Sequence, residues 1–147
     1  MKKKILIIGK NGLIGKNLFN NFKSKKINIH RISFESFIKK NNINKFDIII
    51  NCTSNYKFVK NKYANKNDND LLIAKKITNL NTKLVMLSSR KIYKAKFNIK
   101  EIDKKKPNCN YSINKVISEA SVNKILGARV LILRISNIIS MPNKNKR

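Results

Sequence analysis

The sequence is poor in the residues from which several kinds of functional site are built. It has no tryptophan, one histidine, two cysteines, four glycines and two prolines among 147 residues. The single histidine, His30, cannot build a metal centre that needs several histidines, and a Ser-His-Asp triad would depend on it alone. Cys52 and Cys109 lie far apart and form no CxxC pair, so neither a zinc site nor a redox motif is indicated. We therefore expect no metal site.

Long apolar runs are also missing. The N-terminus begins like a signal peptide, but its apolar run, Ile5–Ile8, is shorter than the roughly 7–15 residues that a signal requires. No stretch approaches the ~18–20 apolar residues needed to span a bilayer. Together with two isolated cysteines, these observations favour a reducing, cytoplasmic setting without a membrane partner.

Acidic residues are scarce, because seven Asp and Glu stand against 34 Lys and Arg, which gives a net charge of +27. Such a charge attracts nucleic acids and other polyanions. The lysines are spread along the whole chain, however, and no zinc-finger spacing, aromatic RNA-binding signature or basic zipper accompanies them. Lys, Asn and Ile, all encoded by A/T-rich codons, make up more than half of the chain. We expect a base-composition bias and no specific nucleic-acid partner.

Short apolar runs alternate with longer amphipathic ones along the chain. Runs of β-branched residues predict strands, and apolar positions at helical spacing predict helices. The predicted strands are residues 4–8, 27–32, 46–50, 83–87 and 129–135, and the predicted helices are 13–22, 34–38, 71–80 and 109–126. Residues 54–67 are polar and predict a mobile loop. The alternation predicts an α/β fold with a doubly wound parallel sheet in one domain, residues 1–140, followed by a basic tail, 141–147.

Three of the four glycines lie in one window after the first strand. Gly9, Gly12 and Gly15 have the spacing GxxGxxG and open the first helix, as in a dinucleotide-binding turn. Gly9 permits the tight turn, Gly12 admits a pyrophosphate to the backbone, and Gly15 allows close helix–strand packing. The helix N-terminus favours the anion. The predicted cofactor-binding residues of this turn are Gly9, Asn11, Gly12, Leu13, Ile14 and Gly15.

The region after the second strand bears on the choice of cofactor. It lacks the acidic residue that usually binds the ribose, and Arg31 stands there instead. Arg31 is suited to a 2′-phosphate, which favours NADP over NAD. The alternative is an ordinary surface charge in a very basic chain.

Further motifs accompany the glycine turn in a fixed order. Residues 87–93 (LSSRKIY) resemble an S-S-x-x-[VI]-Y segment, residues 111–115 (YSINK) match Y-x-x-x-K, and residues 133–138 (LRISNI) resemble L-R-x-x-N-V. Pro107 and Glu119 flank the second motif, and Asn51 and Cys52 occupy the place of an Asn-Ala pair. Over residues 3–140 the chain thus resembles the extended short-chain dehydrogenase/reductases, in the sugar-nucleotide-modifying epimerase/dehydratase group.

The resemblance implies a Rossmann-like NAD(P)-binding domain with Ser89, Tyr111 and Lys115 as its catalytic set. Tyr111 would exchange a proton with the substrate oxygen, Ser89 would orient that oxygen, and Lys115 would tune Tyr111 and bind the nicotinamide ribose. A tyrosine with a usual pKa of about 10 needs such a cation to act at neutral pH. Tyr111 and Lys115 lie at i and i+4 of the predicted helix, on one face. Asn51 and Cys52 are expected beside the cofactor.

A Y-x-x-x-K motif alone is weak evidence in a chain so rich in lysine. Tyr56 and Lys60 form a second example, in the predicted loop. Only its context singles out Tyr111: the helix, Pro107, Ser89 upstream and the glycine turn.

The resemblance implies a sugar-nucleotide epimerase or reductase, and a homodimer is compatible with it. Arg90 and Lys91 replace the Asp-Glu pair of the family's dehydratases, which argues against dehydration. Extended members continue beyond the last motif into a substrate region, so we expect a chain truncated before that region. The alternatives are a non-catalytic NAD(P)-binding module and, less favoured, a nucleic-acid-binding protein. For Glu101 and Asp103, in a Lys-rich loop, ion pairing is favoured over acid/base catalysis.

Overall fold

Five short parallel strands form one sheet. In a computed structural model, which describes residues 3–25 and 27–136, the strand order is β2-β1-β3-β4-β5. The strands are β1 (Ile5–Ile8), β2 (Ile29–Ile32), β3 (Ile48–Asn51), β4 (Lys83–Ser89) and β5 (Val130–Ile135). β1 occupies the interior of the sheet because its β-branched run is apolar on both faces; Leu6, Ile7 and Ile8 are all fully buried.

Helices connect the strands and flank the sheet. They are α1 (Leu13–Ser24), α2 (Phe34–Lys39), α3 (Tyr56–Lys60), α4 (Asn69–Lys76) and α5 (Asn110–Leu126). Gly127 ends α5 with φ +52°, a backbone conformation that favours glycine. The predicted α/β class and doubly wound parallel sheet are confirmed.

The prediction of a loop at residues 54–67 is wrong. This segment contains α3 and a 3₁₀ turn, Asn65–Asn67. The Asn55 side chain accepts a hydrogen bond from the backbone N–H of Lys57 and so caps α3. The side chain of Phe58, in α3 itself, is buried. Asn114 of α5 donates from Nδ2 to the carbonyl oxygens of Phe58 and Asn61, at 2.7 and 2.8 Å. A few long-range contacts therefore order a segment whose own sequence is polar.

Element ends differ from the expectations by a few residues. β3 begins at Ile48 rather than at residue 46, and β4 continues to Ser89. α5 begins at Asn110, because Cys109 is its extended N-cap residue. α4 ends at Lys76 instead of residue 80. The carboxyl ends of parallel strands share one edge of a sheet, so Asn51 and Ser89 end their strands at the same side of the molecule.

No described helix is long and apolar enough to cross a membrane. Asn137 and Ile138 of the last motif and the tail at 141–147 lie outside the described residues. The domain boundary at residue 140 stays a prediction.

Candidate functional site

Backbone packing requires two of the three glycines in the turn. Gly9 has φ +117°, and a Cβ there would come within 3.0 Å of the Cys52 carbonyl oxygen. A Cβ at Gly15 would lie 2.2 Å from the carbonyl oxygen of Gly9. The turn, the first helix and the end of β3 thus approach each other closely enough to exclude side chains.

Gly12 is different, because nothing in the protein crowds it. A Cβ there would have no neighbour closer than 3.8 Å, and its φ of −71° is open to any residue. Gly12 is the N-cap of the 12-residue α1 and provides no side-chain cap. The first N–H groups of α1 are therefore left for another acceptor, which suits an anion.

A groove of about 340 Å³ runs beside the turn. Of the predicted cofactor residues, Gly9, Asn11, Gly12 and Cys52 line it. Residues that the sequence did not single out complete its walls: Lys10, Ser33, Phe34, Glu35, Thr53, Ser54 and Asn69. Their common signal is position, since each follows the carboxyl end of β1, β2 or β3 or begins α4.

Six other predicted cofactor residues, Lys115 among them, do not line this groove. Leu13 and Ile14 begin α1, and Gly15 is buried beneath the turn. Arg31 lies in β2, where its guanidinium donates to the Lys10 carbonyl oxygen at 3.5 Å and stacks on the Phe19 ring at 4.4 Å. Another, Asn51, turns its side chain into the protein.

Asn51 belongs to a buried polar network at the end of β3. Its Nδ2 donates to Asp70 Oδ1 at 2.7 Å, and its Oδ1 accepts from the backbone N–H and the hydroxyl of Thr53 at 3.0 and 2.7 Å. Thr53 in turn accepts a hydrogen bond from Asn69. The network joins the wall of the groove to the first turn of α4.

Lys115 reaches the same network from α5. Its Nζ lies 3.0 Å from Asp70 Oδ2 and donates to the Leu87 carbonyl oxygen at 2.9 Å. The Phe58 ring lies 5.4 Å from the ammonium. Lys115 and Asp70 are only 5% and 3% exposed, so this is a buried ion pair. A narrow recess lined by both side chains shares Thr53, Ser54 and Asn69 with the groove.

Burial and charge act against each other on the ion pair. Burial alone lowers the pKa of Lys115, but the Asp70 carboxylate, assisted by Tyr111, raises it above the usual lysine value. Burial raises the pKa of Asp70, and Lys115 and Asn51 offset only part of that rise. Burial, with a smaller effect of Asp70, also raises the pKa of the Cys52 thiol to about 11. The Cys52 thiol, which lines the groove, is therefore protonated at neutral pH.

Ser89 lies on β4 and Tyr111 on α5, the two elements that the hydrogen bond from Lys115 to Leu87 connects. Ser89 is the last residue of β4, two residues beyond Leu87; it is buried, and its Oγ accepts from the backbone N–H of Lys91 at 3.2 Å. Tyr111 is the second residue of α5 and is half-buried, one turn before Lys115. The contact between Lys115 and Leu87 thus ties the helix of the Y-x-x-x-K motif to the strand of the predicted serine.

The second Y-x-x-x-K motif has a different setting. Tyr56 and Lys60 lie on α3, so the expectation of a loop is wrong, but Tyr56 is 75% exposed. A helix therefore does not distinguish the two motifs; burial of the lysine beside a carboxylate does.

Behind Ser89 lies a second cluster, centred on Glu119 of α5. Its carboxylate accepts from the Ser88 hydroxyl at 2.6 Å, from Lys105 at 2.8 Å and from Arg134 of β5 at 2.9 and 3.0 Å. Burial would raise the pKa of Glu119, but the hydrogen bonds from Arg134, Lys105 and Ser88 lower it to about 2. This cluster fixes α5 against the sheet. Nearby, Asp103 pairs with Lys96 at 2.8 Å, as the sequence favoured.

Comparison with known proteins gives the family. Residues 3–146 match the family model described as the RmlD substrate binding domain. The chain belongs to this family. A comparison with curated proteins found no match.

Solved structures share the fold of this RmlD-family chain. A dTDP-4-dehydrorhamnose reductase from Yersinia enterocolitica matches with TM-score 0.76 and 22% identity, over 95% of this chain and 54% of that one. The reductase from Bacillus anthracis, in complex with NADP, matches with TM-score 0.72 and 20% identity, over 92% and 54%. The UDP-glucuronic acid 4-epimerase from Bacillus cereus, in complex with NAD, matches with TM-score 0.68 and 15% identity, over 90% and 56%.

Identities this low establish the fold alone, and the chain spans about half the length of these structures. With the family match, the likenesses confirm the resemblance to the extended short-chain dehydrogenase/reductases.

Proposed function

We propose that this chain is the NAD(P)-binding part of a reductase that acts on a keto group of a nucleotide-linked sugar. The observation that carries the proposal is the position of Lys115, which lines a narrow recess that shares Thr53, Ser54 and Asn69 with the groove of the glycine turn. The family match and the two reductases of like fold favour reduction. An epimerase is the alternative, favoured by the likeness to an epimerase fold.

The residues of the turn fit a dinucleotide. The open space at Gly12 and the uncapped N-terminus of α1 suit a pyrophosphate, and Lys10 adds a cation on the wall. Arg31, close beside the turn, supports a preference for NADP, the cofactor bound in the Bacillus anthracis complex. We propose that both cofactors are accepted and that NADP is preferred.

Bound NAD(P)H would supply the hydride for the carbonyl carbon. Tyr111 would donate its phenolic proton to the carbonyl oxygen, and Lys115 would stabilise the phenolate that remains. Ser89 would donate a hydrogen bond to the same oxygen and orient it. These roles rest on the resemblance of the motifs, and the positions of the three residues on β4 and α5 are compatible with them.

Titration with NADPH and NADH, followed by nicotinamide fluorescence, tests the cofactor part of the proposal. We expect saturable binding of both, tighter for NADPH. Turnover then distinguishes the two reactions in a protein that contains this chain and the remaining length of its relatives. A reductase consumes one NADPH per keto sugar, whereas an epimerase interconverts sugars without net consumption. Absence of binding would overturn the proposal.

A non-catalytic NAD(P)-binding module is the second candidate. The specific observation in its favour is that two of the three ammonium donors of Lys115 are already engaged within the protein. Its signature is cofactor binding without turnover of any nucleotide sugar. A homodimer, a cytoplasmic location and the lack of a specific nucleic-acid partner stay predictions.

A further inference from the structure

We propose that Asp70 is a positioning residue for Lys115, holding its ammonium so that a single N–H donor stays available to the cofactor or to Tyr111. The inference rests on the proposed function. Asp70 lies in none of the motifs on which the resemblance depends, and it enters the site only through the fold.

Two contacts orient the Lys115 ammonium. A lysine ammonium has three donors and no acceptor. One donor is directed to Asp70 Oδ2 at 3.0 Å and a second to the Leu87 carbonyl oxygen at 2.9 Å. These two contacts come from different elements, α4 and β4, so together they fix the direction of the third donor.

Asp70 is itself held in place. Its other oxygen, Oδ1, accepts from Asn51 Nδ2 at 2.7 Å. Asn51 is fixed in turn by two contacts with Thr53. Both oxygens of the carboxylate therefore have a defined partner, and the carboxylate cannot rotate without breaking a buried hydrogen bond.

The charge of Asp70 also keeps Lys115 protonated. The titratable or charged groups around Lys115 are Asp70 and the more distant Asp68 from α4, Tyr111 from α5, and Cys52 beyond Asp70 at the end of β3. Cys52 is protonated at neutral pH, so Asp70 is the main counter-charge. Without it, a lysine that is 5% exposed would lose its proton more readily because burial disfavours the charged form.

Asp70 also lowers the net positive charge that Lys115 presents to its surroundings. A lysine paired with a carboxylate presents less net positive charge than an isolated one. Asp70 thus sets both the direction of the ammonium and the net positive charge that it presents to its surroundings. The wild-type pair combines a firmly protonated lysine with a moderated field.

The test compares NADPH affinity across pH in wild type, Asp70→Asn, Asp70→Glu and Lys115→Met. We expect the wild-type affinity to stay level from about pH 7 to about pH 9, since the lysine keeps its proton and a phosphate monoester, with a pKa of about 6, is already ionised. In Asp70→Asn, affinity should fall about tenfold across this range and converge on that of Lys115→Met at the alkaline end. Asp70→Glu retains the charge and should restore the level profile. Asp103→Asn removes a partly exposed ion pair outside the site and serves as the matched control with a wild-type profile.

Parallel pH profiles in wild type and Asp70→Asn, even with a uniform loss of affinity, would overturn the inference, because a merely structural carboxylate leaves the pH dependence unchanged. Absence of NADPH binding in the wild type would overturn the proposed function, and this inference with it. If Asp70→Asn fails to fold, the Lys115 ammonium can be titrated by nitrogen-detected NMR in the unaltered protein. A proton retained above the usual lysine pKa supports the role of Asp70, and one lost below it contradicts that role.

Discussion

The hydroxyl of Ser88 donates to Glu119 across 2.6 Å, while the hydroxyl of Ser89, the next residue, takes no part in that cluster. Alternate side chains of a strand point to opposite faces, so the two serines have separate environments. Ser88 fastens β4 to α5. Ser89 is left to the other side, at the end of the strand, where the proposed chemistry takes place.

Removing the Tyr111 hydroxyl should abolish turnover but leave the fold intact. In a protein that contains this chain and the remaining length of its relatives, we expect Tyr111→Phe to lower kcat by about 10²–10⁴-fold, the usual contribution of a positioned acid or base. Tyr56→Phe changes the other Y-x-x-x-K motif, whose tyrosine is exposed on α3, and should leave kcat unchanged. Steady-state kinetics with both variants checks the assignment. Equal turnover in the two would falsify it.

Substitutions at two glycines of the turn should separate binding from folding. We expect Gly12→Leu to fold with nearly the wild-type melting temperature, because a Cβ there meets nothing within 3.8 Å, but to lose NADPH affinity by at least about tenfold. Gly15→Ala should instead lower the melting temperature, since its Cβ would lie 2.2 Å from the Gly9 carbonyl oxygen. Calorimetry and fluorescence titration measure the two effects. Unchanged affinity in Gly12→Leu would contradict the proposed pyrophosphate site.

Arg31 should distinguish the two cofactors. Loss of a charge-assisted contact to a 2′-phosphate predicts that Arg31→Ala weakens NADPH binding by about tenfold or more and leaves NADH binding nearly unchanged. Lys39→Ala, at the end of α2, removes one positive charge that does not line the groove and controls for the general field. Equal losses for NADPH and NADH would show that Arg31 acts only as surface charge.

The Glu119 cluster should make the protein sensitive to acid. The folded pKa of Glu119 is about 2, below the unfolded value of 4.5, so its stabilisation is present above about pH 4.5 and is lost as the pH falls toward 2. The shift corresponds to about 3 kcal/mol of unfolding free energy. Denaturant unfolding at a series of pH values measures it.

Glu119→Gln provides the comparison for this acid limb. It should destabilise the protein by about 3–5 kcal/mol near neutral pH, because Arg134 and Lys105 lose their counter-charge, and the difference from wild type should shrink in acid. Asp103→Asn, which removes the partly exposed partner of Lys96, should keep most of the wild-type acid limb, because solvent screens that ion pair. An acid limb of full size in Glu119→Gln would assign the sensitivity to other carboxylates.

The strands could be predicted because a strand buried on both faces is a continuous apolar run, and the longer helices because their apolar residues recur at helical spacing. The glycine turn was predictable for a similar reason, since a local pattern encodes a local conformation. α3 was not, because its order comes from the contacts of Asn114 with Phe58 and Asn61, more than fifty residues away. The role of Asp70 escaped sequence reasoning likewise, since it lies 45 residues from Lys115 and no spacing rule joins them.

The close approach of Gly15 to Gly9 has an evolutionary consequence. Because the protein's own backbone excludes a side chain at these positions, selection for folding alone preserves both glycines, even in a descendant that has stopped using a nucleotide. Gly12 is under no such constraint from the fold. Across relatives, drift at Gly12 with Gly9 and Gly15 retained would therefore be the mark of a lineage that kept the architecture and abandoned the cofactor.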